Sequence, residues 1–189
     1  MLQKSLTTTS IEFARAKRKN LIIRDLDQLI QEKLDAMLIM NPNRIDYYEK
    51  YVAIIEDYNR EQDKDSIDIV FTNLMNLAAS MTMEEQRYVR EGFSSDEELS
   101  MYDMLFSENL TAKDIKAIKK VAVDLLQKIK DKIAELDHWT DKQETKATVD
   151  ILIRDTLWAE LPECDDDRSI DFYREKIYEY VYTRYKEVA

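Results

Sequence analysis

Few residues in this chain have the types and spacing that chemistry requires. Asp165-Asp166-Asp167 offers three carboxylates to a hard cation, which takes oxygen ligands. Neighbouring side chains converge on one ion only across a tight turn, and no glycine stands there to make one. The run reads as an acidic helix start, where Asp favours the positive end of the helix dipole. Asp114-Ile115-Lys116 matches the short half of a metal-dependent nuclease core. The other half, a Pro-Asp, is missing, because Pro42 precedes Asn43 and Pro162 precedes Glu163. Asp114 also falls at a helix start, whereas such a core aims its carboxylates from strands. His138 and Cys164 are the only histidine and cysteine. They are too few for a zinc site and leave any nucleophile a single base. His138, beside Trp139 at a helix junction, reads as structural or solvent-facing. One glycine, Gly92, cannot build a phosphate-cradling loop or a dinucleotide fingerprint. The sequence thus predicts no catalytic, cofactor-binding or metal-binding residue.

One cluster is left as a candidate contact site: Arg15, Lys17, Arg18, Lys19 and Arg24. In a chain of net charge -11 it is the one local patch suited to a phosphate backbone or an acidic partner. A solvated helix face is the plainer reading, because short charge runs usually are one.

The elements that must carry these residues follow from composition. Of 189 residues one is glycine and two are proline, so the turns that sheets and hairpins need are nearly absent. The apolar spacing is helical, and no segment alternates. The expected fold is all-α, an irregular bundle of about seven helices with no sheet. Thr9 and Ser10 are N-cap candidates for a long first helix that ends at Asn41-Pro42, since Pro42 forces its predecessor out of the α region. That gives an expected organisation of 1-41 as a long N-terminal or linker helix and 42-189 as the helical domain.

A second helix over 44–60 presents Ile45, Tyr48, Val52, Ile55 and Tyr58. A third over 66–91 stops at Gly92, where a C′ residue belongs. Ser95-Asp96-Glu97-Glu98 is a capping box opening a short helix, and Thr111-Ala112-Lys113-Asp114 is a looser one. The second of these starts the most regular stripe: Ile115, Ile118, Val121, Leu125, Ile129, Ile133 and Leu136. Thr140 caps a helix with Ala147, Ile151, Leu157 and Leu161 on its apolar side, stopped by Pro162. The last helix carries Ile170, Tyr173, Ile177, Tyr180, Val181 and Tyr185, with Tyr178 and Tyr182 pointing elsewhere. A helix apolar on several sides is buried on several sides or docks on a partner.

A lone cysteine permits no intrachain disulfide and fits a cytoplasmic location. No apolar run is long enough to span a membrane, and residues 1–10 lack the apolar stretch of a signal peptide.

Three blocks carry a resemblance. Asn41-Pro42-Asn43-Arg44-Ile45-Asp46-Tyr47-Tyr48 is followed by Ile54-Ile55-Glu56-Asp57-Tyr58-Asn59. Arg90-Glu91-Gly92-Phe93-Ser94-Ser95-Asp96-Glu97-Glu98 leads to Tyr102-Asp103-Met104-Leu105. The last runs over 139–149, with Trp139, Lys142, Lys146 and Ala147, to Leu157 and Leu161-Pro162. In this order they resemble the C-terminal helical domain of the R (endonuclease and motor) subunit of type I restriction enzymes. Asp165 departs from the pattern, where a tyrosine is expected after Leu-Pro.

The resemblance implies a parent subunit with a nuclease domain and two RecA-like motor domains ahead of this region. That parent hydrolyses ATP with magnesium, pulls DNA past a methyltransferase core and cuts it far from the recognition site. For this chain it implies a non-enzymatic part that needs no cofactor. The implied partners are the motor domains of its own subunit and the methyltransferase/specificity core, with DNA met through the whole complex and no membrane. Two other readings are a DNA-contacting module that lines the translocation path with its basic first helix, and a free-standing helical regulator.

Overall fold

The computed structural model describes residues 2–60, 64–107, 110–162 and 170–186, with only the backbone described for 2–18 and 64. Among them are eight α-helices and no strand. They are α1 (Leu2–Met40), α2 (Ile45–Arg60), α3 (Lys64–Glu85), α4 (Arg87–Glu91), α5 (Asp96–Leu105), α6 (Ala112–Glu135), α7 (Gln143–Glu160) and α8 (Ile170–Arg184), with a 3₁₀ turn at Pro42–Arg44. The all-helical reading holds, and the helices group into two compact units.

Unit 1 comprises Met1–Leu38 and Arg44–Gln86. Its core joins Ile23, Ile30, Leu34 and Met37 of α1 to Tyr51 of α2 and to Val70, Leu74 and Met81 of α3. The α1 residues follow a three-four spacing, which keeps one stripe facing the α2–α3 hairpin. The Tyr51 hydroxyl donates to Asp27 Oδ1 at 2.7 Å and accepts from the Gln31 amide, which fixes the register of α1 on α2. Arg44 Nε donates to Glu84 Oε1 at 3.0 Å with both side chains nearly buried, so the pair is costly to break from one side.

Unit 2 comprises Ile39–Asn43 and Arg87–Ala189. The ten-residue α5 buries six side chains, because it packs against α4, α6 and α8. The α6 stripe turns inward as its spacing predicts, with Ile118, Val121, Leu125, Ile129 and Ile133 all buried. Trp139 is fully buried; its indole donates to the Tyr185 carbonyl at 3.0 Å and its ring meets Tyr178 and Tyr182 edge-on. Tyr173, Ile177, Tyr180 and Val181 form the buried face of α8, and Tyr185 just past its end is buried too. The tyrosines of this helix therefore pack within unit 2, while Phe172 stays exposed.

The caps differ in detail from their sequence reading. Gly92 has φ 82 and closes α4 with the paired bonds of a Schellman motif, Phe93 N–H to the Tyr88 carbonyl and Gly92 N–H to the Val89 carbonyl. The Ser95 hydroxyl accepts from Glu98 N–H, but the Glu98 carboxylate accepts from Ser94 N–H, one residue upstream of the expected donor. The box at Thr111 and Asp114 is reciprocal and complete.

Five local expectations are corrected. The backbone of α1 is helical through Thr9 and Ser10, because no Gly or Pro stands upstream to break it. The single helix expected over 66–91 is two, parted at Gln86, whose N–H bonds to the Met83 carbonyl three residues back. On α2 the buried arc is centred on Tyr51, and Ile45 and Tyr48 are exposed. On α7 the buried face is Val149, Ile153, Thr156 and Leu157, while Ala147 and Ile151 face outward. Thr140 does not cap α7; Lys142 occupies the N-cap without a side-chain bond, and Thr145 donates back to the Trp139 carbonyl at 2.6 Å.

Candidate functional site

Among the described residues, three of the polar clusters bear on the sequence motifs, and each serves the fold. At residues 40–43 the chain leaves α1 and locks into unit 2. Asn41, fully buried, donates to Asp103 Oδ2 at 2.7 Å and accepts from the backbone and side-chain N–H groups of Asn43 at 3.1 and 3.0 Å. The Arg87 guanidinium pairs with the same Asp103 oxygen. The Met40 carbonyl, orphaned at the helix end, accepts from the Ser100 hydroxyl at 2.8 Å and from the Tyr180 hydroxyl at 3.3 Å. The buried Arg44–Glu84 pair of unit 1 follows at once in sequence. The first resemblance block owes its Asn41 and Arg44 to these bonds, and the second owes its Asp103 to them.

The second cluster centres on Glu97. Its carboxylate meets Lys130 of α6 and the Arg184 guanidinium of α8, the latter at 3.3 Å. Burial pushes the Glu97 pKa up, but the two cations outweigh it and hold the group below the ordinary glutamate value. Tyr185 beside it is pushed well above the ordinary phenol range, first by burial and then by the Glu97 charge. The third cluster is the box at Asp114. There the Thr111 hydroxyl and backbone N–H, at 2.6 and 3.1 Å, hold the carboxylate below its ordinary value. The Asp114-Ile115-Lys116 match to a nuclease core is thus a capping box on a helix.

The basic cluster does not stay together as one face. Successive helical residues turn by about 100°. Positions 15, 18 and 19 of α1 therefore share one side, and positions 17 and 24 lie on the other. Lys19 is half-buried and ion-paired to Asp68 of α3, so one of the five is committed to holding unit 1 together. Arg24 is exposed, and the side chains of Arg15, Lys17 and Arg18 lie outside the described residues. His138 takes φ 46, left-handed backbone, with its side chain in solvent. Cys164 and Asp165-Asp166-Asp167 lie outside the described residues, and so does the departure at Asp165. No group of three or more His, Cys, Asp or Glu side chains is placed to hold a metal ion among the described residues. None of the helices is long and apolar enough to cross a membrane, among those same residues.

Sequence reasoning missed two surfaces. On α7, Ile151 and Trp158 stand seven residues apart on the side opposite Val149 and Ile153, and Trp158 is 78% exposed. Their i, i+7 spacing was visible, but Ile151 was assigned to the core. Beside them an open groove of about 410 Å³ runs between α6 and α7, lined by Ile151, Leu152 and Lys128 among others. Lys128 pairs across it with Glu160, so that cation is already satisfied. The second surface is the outer side of α3, where the exposed positions from 69 to 83 hold no charged residue.

Comparison with known proteins returns a family match over residues 7–171, to the type I restriction enzyme HindI endonuclease subunit-like, C-terminal family. No curated protein and no solved structure matches the chain.

Proposed function

We propose that this chain, which belongs to the family of C-terminal domains of HindI-like type I restriction enzyme endonuclease subunits, is a non-catalytic scaffold that joins its subunit to the methyltransferase core. One observation carries the reading: the buried carboxylates are spent on folding bonds. Glu97, Asp103 and Glu84 each face an Arg or Lys of the same unit rather than a cavity. Acids neutralised by cations of their own unit are held in the fold, and removing the cation from one side would be costly. Nuclease cleavage and ATP-driven translocation, with ATP and magnesium as cofactors, then belong to the parent polypeptide.

The contact with the core falls in this reading to Trp158 and Ile151. A largely exposed tryptophan on a rigid helix is costly to leave in water and is the residue type most enriched at binding hot spots. The packing of α8 shifts the argument here, since its tyrosines are engaged internally. The DNA-contact alternative keeps Arg15, Lys17, Arg18 and Arg24 but loses Lys19 to Asp68.

The test is competition. The isolated chain, in excess, is expected to displace full-length subunit from immobilised methyltransferase core, and Trp158→Ala is expected to weaken that displacement about 30-fold, the worth of one hot-spot residue. The chain alone should neither hydrolyse ATP nor cut DNA with magnesium present. Failure to compete, together with tight salt-sensitive DNA binding abolished by changing Arg15, Lys17, Arg18 and Arg24 to Ala, would replace the scaffold with the DNA-contact reading.

A further inference from the structure

Helix α6 carries seven lysines. Four are matched: Lys119 pairs with Glu91, Lys128 with Glu160, Lys130 with Glu97 and Lys132 with Glu135. The other three, Lys113, Lys116 and Lys120, are exposed and have no ion-pair partner among the described residues. In a chain where 39 acidic residues outnumber 28 basic ones, three unmatched cations on two turns of helix are an exception. The acids beside them are engaged elsewhere. Asp114 closes the cap with Thr111, and Glu91 is held by Lys119.

The three lysines form one face. Successive helical residues turn by about 100°, so positions 113, 116 and 120 fall within an arc of about 60°, opposite the buried stripe of Ile118, Val121, Leu125 and Ile129. Lys113 stands in the first turn, where the positive end of the helix dipole adds to the field. Asp124, one turn beyond Lys120, ends the patch.

We propose that this face of α6 is a contact for the phosphate backbone of duplex DNA, made without regard to sequence. It goes beyond the scaffold reading and uses none of the residues assigned to the methyltransferase core or to the basic cluster of α1.

Chemistry sets the other ligands aside. Protein interfaces are depleted in Lys and enriched in aromatic, Met and Arg side chains, and this face carries three Lys and none of the others. A helix lying on a membrane sinks its apolar side into lipid, whereas the apolar side of α6 is buried in unit 2. A single strand is held by stacking its bases on aromatic rings, and no ring stands here. Lys is a point charge without the planar fork of Arg, which suits a phosphate better than a base edge. The spacing agrees. Positions 113 to 120 span about 10 Å of helix rise, and about 10 Å of duplex axis carries about three phosphates on each strand.

The test is the salt dependence of DNA binding by the full-length subunit without the methyltransferase core, titrated with short duplexes of two unrelated sequences. Each phosphate contact contributes about 0.9 to the slope of log affinity against log salt. The triple variant Lys113→Gln, Lys116→Gln and Lys120→Gln should therefore lower that slope by about 2.7, and weaken both duplexes alike by at least tenfold at about 0.05 M salt. Gln keeps the helix propensity of Lys, and all three positions are exposed, so the fold is left intact. A charge-matched control, Lys50→Gln, Arg60→Gln and Lys142→Gln, at exposed positions elsewhere, should leave the slope unchanged. An unchanged slope in the triple variant would overturn the proposal, and so would an equal drop in the control. Competition by polyglutamate as strong as by duplex DNA would overturn it too, as would a loss of affinity for the methyltransferase core in place of DNA, because either result assigns the patch to an acidic protein surface. A failure on DNA alone leaves untouched the competition by which the scaffold function is tested.

Discussion

Among the described residues, unit 2 buries twenty-two apolar side chains in one cluster and unit 1 buries ten. Unit 2 leaves six large apolar side chains exposed, whereas unit 1 leaves eight, with Ile69, Met75 and Met83 on a single charge-free face. Unit 2 also closes its helix ends with a Schellman turn and two capped N-termini. The most exposed large apolar side chain beside the larger core is Trp158, at 78%, on a helix that also exposes Ile151. The smaller core, among the described residues, is bordered by more exposed apolar side chains. Burial of apolar area is the main favourable term in folding.

The largest effects should separate the two cores. Trp139→Ala removes a fully buried ring together with its bond to the Tyr185 carbonyl, and unit 2 should lose about 3–5 kcal/mol. Leu74→Ala, at 0% exposure in unit 1, should cost about 2–5 kcal/mol. Urea unfolding followed by circular dichroism should show the Leu74 variant losing an early transition while the remainder keeps its midpoint. A single shared transition in both variants would mean that the units fold as one and would break the comparison.

The caps offer a finer test. Gly92→Ala meets nothing within 4 Å of its new Cβ, so its cost is conformational alone. The left-handed backbone should cost about 1–2 kcal/mol, read as a shifted unfolding midpoint with an unchanged slope. A neutral result would mean that the turn relaxes out of the left-handed region.

The smallest effect concerns pH. Glu97 and Asp114 both have depressed pKa values in the folded chain. A depressed carboxyl contributes stability that is complete above its unfolded value, about 4 for these groups, and is lost as pH falls through the folded value. The unfolding midpoint of unit 2 should therefore hold steady down to about pH 4.5 and fall below it. Glu97→Gln should lower the plateau and flatten the fall. An unchanged acid limb would show that Lys130 and Arg184 stabilise the charged carboxylate no more in the fold than water does outside it.

Much of the fold was legible, for stated reasons. Gly92 could be assigned to a helix end because only one residue type takes φ 82 without strain. The α6 stripe was legible because seven residues repeat one spacing. The faces of α2 and α7 were misjudged because both helices are apolar on more than one side. Tyr51 is held by Asp27 and Gln31, partners remote in sequence, and Ile151 looks like core until Val149 and Ile153 are seen to fill that role. The resemblance blocks could be recognised, but their meaning could not. Asn41, Arg44 and Asp103 join residues 40 to 62 positions apart, which no local pattern predicts. Of the five basic residues, only pairing across the fold removes Lys19. The charge-free face of α3 was legible as composition, but exposure was needed to show that it is a face.

The central claim is that the chain adds no chemistry and attaches the subunit to its methyltransferase core. Its most direct test is the affinity of that core for the full-length subunit and for one lacking these 189 residues, measured by sedimentation at a fixed salt concentration, with ATPase activity assayed on both. The account predicts that truncation weakens core binding at least 100-fold while basal ATP turnover persists. Equal affinity for the two subunits, with turnover lost on truncation, would contradict it.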